Sequence, residues 1–362
     1  MSSPAAPPNP AQWRVRALGV LTAMVLLAGV VAAVGDDDIE APADGAIVEV
    51  DGRSTVVRVG GQPVALATGD QVRAGDEVIV ESGTIVLRLA GGGVLEGRAA
   101  DEDIDATRVV MGAVPELVAG DLLVVGGNGL DVDAAGTVVA LGPSGATENA
   151  VRIRRGLSVL TGVYRGAALV ESAGQQRSVP ALRQIGISSI GRPAANPDPL
   201  AYDNADRWDL RYLGAAIDLG IALDRYSRSF TANVGPNGGR TTAGYELLLP
   251  RLAGEPEFDA ADLAAPRDPG DVLVGAAITV VARDGSFQDR WNSVFEFRDE
   301  GAAWGLVALD QGVDEAPVLA DVEQALSIAS RPPAREVATP PLGPTPTSPP
   351  SPPATAGTTA TT

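Results

Sequence analysis

An uncharged apolar stretch, residues 17–34, constrains this chain more than any other feature. A helix rises about 1.5 Å per residue, so the stretch is just long enough to cross a bilayer core of roughly 30 Å. In lipid only a helix satisfies the backbone of one segment, and the two arginines just before the stretch predict a cytoplasmic N-terminus. We therefore predict a cytoplasmic tail over residues 1–16 and one transmembrane helix over residues 17–35.

The same stretch has a second interpretation, a cleaved signal peptide. Small residues at Val31, Ala32 and Ala33 suit a cleavage site, whereas the apolar run is longer than a usual signal core. The first interpretation predicts a single-pass protein of the cell membrane with its C-terminus outside the cytoplasm. The second predicts a secreted protein, and both place the large C-terminal part outside the cytoplasm.

The composition excludes several kinds of chemistry. The 362 residues include no histidine, no cysteine and no lysine, so all 27 basic residues are arginine, a bias typical of a high-GC genome. Without these side chains there is no Ser-His-Asp triad, cysteine nucleophile, Schiff base or His/Cys zinc site. The formal net charge of −19 argues against nucleic-acid binding, since phosphates need basic partners. We predict a protein that is not an enzyme and uses no cofactor.

From residue 39 to 190 the chain alternates Val, Ile and Leu with polar residues in short runs, a pattern typical of β-strands. Asp51-Gly52 lies between two such runs and predicts a tight hairpin. Two Gly-Asp pairs, Gly69-Asp70 and Gly75-Asp76, follow six residues apart. In each pair the glycine permits a turn, and the aspartate is expected to hydrogen-bond the turn backbone.

This arrangement resembles the FecR family of extracytoplasmic domains, in which a twin Gly-Asp turn precedes a pair of strands. Here the later turn is Gly91-Gly92-Gly93, where the family has Asp-Gly-Ser. A second patch, residues 159–170 with Tyr164 and Gly166, is similar to the family's late strand-turn-strand. The resemblance implies a mainly antiparallel β-domain over residues 39–190. Family members typically regulate a sigma factor through a cytoplasmic helical domain, for which the short tail here leaves no room.

The second half changes its periodicity. Apolar residues three and four apart follow Asp206, which predicts a largely buried helix capped by that aspartate. Shorter helices are predicted after Asp271 and Ser286 as caps, and a last one near Pro317. Residues 200–330 thus form a mainly helical domain. The Pro-, Thr- and Ser-rich residues 331–362 cannot form a core and predict a disordered tail.

Four groups of acidic residues are candidate sites, and each also has a simple structural interpretation. Asp36 to Asp38 are typical of the solvated flank of an anchor. Residues 101–105 are typical of a polar loop, because they lack the spacing of an EF-hand. Asp131 and Asp133 are typical of an exposed strand face. A fourth group, Asp203, Asp206, Trp208 and Asp209, is explained equally well by the chemistry of a helix start. We therefore predict no catalytic, cofactor-binding or metal-binding residue.

The sequence thus predicts a multidomain α+β protein: one transmembrane helix, a FecR-like β-domain, a helical domain and a disordered tail. Two functions are favoured over a third, a carboxylate-dependent hydrolase, which would need a deep pocket with two facing carboxylates. The first is a non-catalytic role in envelope sensing or protein interaction, with an envelope protein as partner. The second is a structural scaffold that binds a cell-wall polymer through the tail.

Overall fold

The structure is a computed structural model. It describes residues 45–330 except residues 59–60, 100–105, 128, 144–147, 236–240 and 261–266. The chain divides into a first unit that ends at Ala201 and a second that begins at Tyr202. We call them the β unit and the helical unit.

The described residues of the β unit form one sheet of fifteen strands. In chain order they are β1 (Gly45–Val57), β2 (Pro63–Ala65), β3 (Gln71–Val72), β4 (Glu77–Arg88), β5 (Val94–Arg98), β6 (Thr107–Val110), β7 (Glu116–Gly126), β8 (Asp131–Ala134), β9 (Thr137–Leu141), β10 (Asn149–Arg155), β11 (Val159–Arg165), β12 (Ala167–Ser172), β13 (Gln175–Pro180), β14 (Arg183–Ile187) and β15 (Asp198–Pro199). Apart from one parallel bridge between β7 and β8, the described strand pairs are antiparallel.

Strand β7 lies at the branch point of the sheet. On one side the order runs β13-β12-β9-β8-β7-β10-β11-β14-β15. On the other, β5 and β6 lie one after the other between β7 and β4, and β4 pairs with β1. Inward-facing Val, Leu and Ile side chains of these strands form one continuous core. Aliphatic side chains alone fill it because this part of the sequence is poor in aromatics.

The predicted hairpin at Asp51-Gly52 is wrong. β1 runs without a turn from Gly45 to Val57 and pairs along its length with β4, so that Gly52 lies opposite Gly83. Both glycines have positive φ, 106° and 77°, and a Cβ on Gly83 would lie only 1.8 Å from the carbonyl oxygen of Asp51. The paired backbones of β1 and β4 approach here more closely than side chains permit, which is why an Asp-Gly pair occurs inside a strand.

The two Gly-Asp turns form as predicted. The amide of Asp70 donates to the carbonyl of Ala67 at 3.0 Å, and the Asp70 carboxylate accepts from the Ala67 amide at 2.8 Å. Asp76 repeats both contacts with Arg73, at 3.0 and 2.9 Å. Gly69 and Gly75 supply the positive φ that each turn requires. The prediction is confirmed because these bonds are local and depend on few residues.

The helical unit contains six described α-helices. They are α1 (Arg207–Val234), α2 (Thr242–Leu248), α3 (Pro269–Val281), α4 (Phe287–Asp299), α5 (Trp304–Asp310) and α6 (Glu315–Ala329), with short 3-10 turns at Pro250–Gly254 and Pro256–Ala260. Glycines let α1 contact its neighbours closely. A Cβ on Gly305 of α5 would lie 1.7 Å from the carbonyl oxygen of Ala216, and one on Gly270 of α3 would lie 2.0 Å from that of Ser227.

Two predicted helix caps are confirmed and one is wrong. Asp206 accepts from the amides of Trp208 and Asp209 and caps α1, and Ser286 caps α4. The N-cap of α3 is Asp268 rather than Asp271, because Pro269 fits the first helical turn. The Asp271 carboxylate instead accepts from the Ser227 hydroxyl and the Trp304 indole. Helix α5 was not predicted at all.

A row of five aromatic rings runs through the core of the helical unit. Neighbouring ring centroids lie 4.7 to 6.1 Å apart. The row consists of Phe258, Phe287, Trp291, Phe295 and Trp304. All five contacts are edge-on or tilted, which are arrangements that aromatic quadrupoles favour.

The predicted fold class needs a correction, because it included a transmembrane helix. Among the described residues no helix is both long enough and apolar enough to cross a bilayer. Helix α1 has 28 residues but carries seven charged side chains, and the apolar α3 has only 13 residues, about 20 Å. Residues 17–35, where the span was predicted, lie outside the described residues, as do residues 1–16 and the predicted tail.

Candidate functional site

A cavity of about 210 Å³ lies among the loops of the β unit. Its exposed rim includes Arg73 and the glycines at 91, 112, 127 and 129, whereas Met111 and Pro115 lie buried at its floor. Leu89 and Leu130, both half-buried, complete the apolar wall. Four chain connections contribute to this lining: the second Gly-Asp turn and the β4–β5, β6–β7 and β7–β8 loops.

Bent strands bring these loops together. Residues just before and just after β4 line the cavity, and the same holds for β7. A straight strand of 12 residues would be about 40 Å long, so its two ends could not reach one small cavity. Each of the two strands contains a glycine with positive φ, Gly83 in β4 and Gly120 in β7, where the chain changes direction. The glycines of the sheet therefore position the cavity although they lie away from it.

The second Gly-Asp turn is fixed to the cavity floor by hydrogen bonds. The amide of Gly75 donates to the Met111 carbonyl at 2.8 Å, and the Met111 amide donates to the Asp76 carbonyl at 2.9 Å. The turn that first suggested the family resemblance thus holds one wall of the cavity.

The cavity lining offers little chemistry. Among the described residues that line it, Arg73 alone is charged, and none carries a carboxylate, hydroxyl or thiol. Glycine, alanine and proline contribute mostly main chain, and Leu89, Met111 and Leu130 contribute apolar side chains. Such a surface suits burial of an apolar group and provides no general acid, general base or nucleophile.

Elsewhere in the β unit, Asp121 is the centre of a buried ion cluster. Its carboxylate, 1% exposed, accepts from Nε and Nη2 of Arg98 at 3.0 and 2.7 Å. It also accepts from Nε and Nη2 of Arg152 at 3.0 and 2.6 Å, and Arg152 Nη1 donates to the Tyr164 hydroxyl at 3.4 Å. The cluster joins the neighbouring strands β5, β7, β10 and β11.

The backbone amide and the charged groups of this cluster all have partners. The Asp121 amide donates to the Thr107 hydroxyl at 2.9 Å, and that hydroxyl donates to the carbonyl of Arg98. Burial by itself lowers the pKa of Arg152, but the Asp121 carboxylate more than offsets this, so the net pKa is raised and the guanidinium stays charged. A carboxylate held by four N–H groups fastens strands together and is poorly suited to move protons.

The fourth predicted acidic group serves the start of α1. Asp206 is the cap, the Asp209 carboxylate accepts from the Asp203 amide at 2.7 Å, and Trp208 is buried. Of the two interpretations left open by the sequence, the helix start accounts for the three aspartates, and Trp208 belongs to the core. In the described part of the chain, no three carboxylates lie close enough to hold a metal ion.

Asp131 and Asp133 differ from the exposed strand face that was predicted, since both are half-buried on β8. The Asp133 carboxylate accepts from the Gly136 amide at 2.9 Å, and burial raises the pKa of Asp131. The two other predicted acidic groups, Asp36 to Asp38 and residues 101–105, lie outside the described residues.

Sequence reasoning identified neither the cavity nor the ion cluster. The cavity residues come from four loops, of which the second Gly-Asp turn and the Gly91-Gly92-Gly93 turn carried a signal, but neither indicated a cavity. Asp121 and Arg152 are 31 positions apart and meet only because β7 and β10 are paired.

No family model, no curated protein and no solved structure matches this chain.

Proposed function

We propose that this chain is a non-catalytic FecR-like protein that works outside the cytoplasm and binds an envelope protein through the cavity of the β unit. The observation that carries the proposal is the cavity itself, with a buried apolar floor, an exposed glycine rim and, among the described residues of its lining, a single charged side chain. The sequence contains no histidine, cysteine or lysine, which also favours a binding role over catalysis.

The size of the cavity supports a protein partner. Pockets for drug-sized ligands and cofactors usually measure about 300–1,000 Å³. At about 210 Å³ this one is smaller. Protein interfaces commonly depend on one large side chain that fills such a pocket, surrounded by contacts of little energy.

The export part of the proposal rests on residues 17–34, whose composition predicts passage into or across the membrane under both interpretations. Attachment of a tag at the C-terminus, followed by protease treatment of intact cells, tests it. If the protease removes the tag only after the cells are lysed, this result would count against a role outside the cytoplasm.

Two glycines of the rim allow the cavity to be filled without disturbing the fold. A Cβ on Gly91 or on Gly127 meets no atom within 4 Å, and neither has positive φ. We therefore expect Gly91→Leu combined with Gly127→Leu to narrow the cavity and to leave the melting temperature nearly unchanged. Gly156 at the β10–β11 turn has the same open surroundings away from the cavity and gives a matched control, Gly156→Leu.

The test is capture from envelope extracts with the immobilised full chain in these three forms. We expect one specific protein to bind the unmodified chain and the Gly156→Leu control, and to be lost with the double variant. Equal capture by all three forms would refute the role of the cavity. Recovery of polysaccharide alone would favour the scaffold function, which depends on residues 331–362 and stays a prediction.

A further inference from the structure

Two neighbouring loops of the β unit, residues 156–158 and residues 188–192, carry exposed aliphatic side chains that take no part in the cavity. We call them the tip loops. We propose that the tip loops insert Leu157 and Ile190 into the surface of a phospholipid membrane, with Arg192 at the level of the lipid phosphates. This site goes beyond the proposed function, since capture of a protein by the cavity does not require it.

The exposure and the position of the two side chains are unusual. In the described part of the chain Leu157 and Ile190 are the most exposed large apolar side chains, at 95% and 72%. Val159, which follows the first tip loop, pairs with Ile187, which precedes the second, so the two loops leave the sheet side by side. Turns usually carry glycine, asparagine, aspartate or serine, and an aliphatic side chain at such a position gains nothing from the fold. Two of them on adjacent loops indicate an apolar environment that the described residues do not provide.

Hydrogen bonds hold both tip loops in place. In the first, the Gly156 amide donates to the Ser158 carbonyl at 3.0 Å. In the second, the Ser188 amide donates to the Arg192 carbonyl, and the Gly191 amide donates to the Ser188 carbonyl, both at 2.9 Å. The Ser188 hydroxyl also accepts from the Arg192 amide at 3.1 Å. Insertion would therefore order little additional backbone, which keeps its entropic cost low.

The charge of the tip loops complements lipid phosphate. Residues 156–158 and 188–197 include no aspartate or glutamate, in a chain that has 46 of them. Arg192 is exposed, and its guanidinium makes no ion pair with the described residues. Arg155, just before the first loop, is by contrast already engaged by the Glu116 carboxylate at 3.4 Å. Guanidinium groups bind phosphate oxygens in a planar, two-point geometry, so Arg192 suits the headgroup level beside two inserted side chains.

The shape of the tip loops favours a membrane over a protein partner. A protein interface encloses its anchor side chain in a fixed pocket and surrounds it with further contacts that exclude water. The residues on either side of Leu157 and of Ile190 are glycine and serine, which provide no such apolar surroundings. The acyl region of a membrane is fluid and needs no matching shape, and it takes up protruding aliphatic side chains while arginine stays among the headgroups.

The predicted anchor in residues 17–34 would hold the full chain at a vesicle in every variant, so the test measures the depth of a probe rather than binding. The sequence has no cysteine, so Ser189→Cys gives a single labelling position for the environment-sensitive fluorophore NBD, next to Ile190. Vesicles of phosphatidylcholine carry no net charge and do not repel a chain with a formal net charge of −19. We expect vesicles to shift the probe emission to shorter wavelength, and lipids brominated in the acyl chain to quench it.

Substitutions in the labelled chain separate the parts of the proposal. Leu157→Ser and Ile190→Ser should each lower the equilibrium constant for insertion about tenfold, and together they should abolish both signals. Leu247→Ser is the matched control, because Leu247 is 69% exposed on α2 of the helical unit and should leave the signals unchanged. Arg192→Gln should lower the constant about two- to fivefold, and added salt should remove this difference. All four side chains are exposed, so Tm should change little in each variant.

The absence of quenching in the unmodified labelled chain, or equal quenching in the double serine variant, would refute insertion. Unchanged quenching in Arg192→Gln would overturn the phosphate contact. If the double variant loses an envelope protein in the capture assay and brominated lipids quench neither form, the tip loops bind a protein and the membrane proposal is overturned. Gly91→Leu combined with Gly127→Leu should abolish capture and leave the quenching unchanged, so failure of the cavity and failure of the tip loops are distinguishable.

Discussion

Replacement of Asp121 by asparagine is the sharpest test of what holds the β unit together. The substitution keeps the shape of the side chain and removes its charge, while the side chains of Arg98 and Arg152 stay 18% and 10% exposed. Four N–H groups lose their carboxylate at once. Removal of one partner from a buried ion pair costs about 3–5 kcal/mol, because the remaining buried charge loses that partner.

For a unit of this size, about 1 kcal/mol corresponds to roughly 2–4 °C, so we expect Asp121→Asn to lower Tm by about 6–20 °C. Far-UV circular dichroism against temperature and urea measures the change. Glu77→Gln is the control, because Glu77 pairs with a half-exposed Arg108 and such pairs contribute about 0–1 kcal/mol. In a double-mutant cycle, Arg152→Met should cost less in the Asp121→Asn background than alone. If Asp121→Asn is no more destabilising than the control, the argument from burial is refuted.

Three further substitutions test other parts of the fold. Thr161 is fully buried and its hydroxyl has no partner among the described residues, so Thr161→Val should stabilise by about 1 kcal/mol in urea unfolding; a loss would show a contact that the structure does not contain. Gly305→Ala places a Cβ against the Ala216 carbonyl and should cost about 1–3 kcal/mol, whereas Gly214→Ala in the same helix pair meets open space and should gain up to about 1 kcal/mol. Burial raises the folded-state pKa of Asp131 above its ordinary 3.8, so the ionised carboxylate destabilises the fold once the pH rises through that pKa. Asp131→Asn should therefore be more stable than the unmodified chain at neutral pH and should lose this advantage in acid. A constant difference across the pH range would contradict that sign.

The sequence was most informative where structure depends on neighbouring residues. The Gly-Asp turns and the cap at Asp206 could be predicted because each side chain bonds an amide two or three positions away. The pair Asp51-Gly52 has the same local signature as a hairpin and misled the prediction. Gly52 is instead paired with Gly83, 31 positions later, and the residues around Gly52 give no signal of such a long-range pairing.

The candidate site was harder to predict for the same physical reason. Its volume is what remains between four loops after β4 and β7 bend, and it belongs to no single segment. Glycines at 91, 112, 127 and 129 look like ordinary turn residues when the sequence is taken alone. Asp121 likewise stands in an apolar run, and nothing nearby distinguishes a buried ion pair from an exposed acidic residue.

The uneven distribution of aromatic residues has an optical consequence. Apart from Trp13, which lies outside the described residues, the tryptophans are Trp208, Trp291 and Trp304, all of them buried in the helical unit. Indole emission should therefore move to longer wavelength when this unit opens and should hardly respond when the β unit unfolds. A single fluorometer trace set beside a circular dichroism trace can thus separate the melting of the two halves without any introduced label.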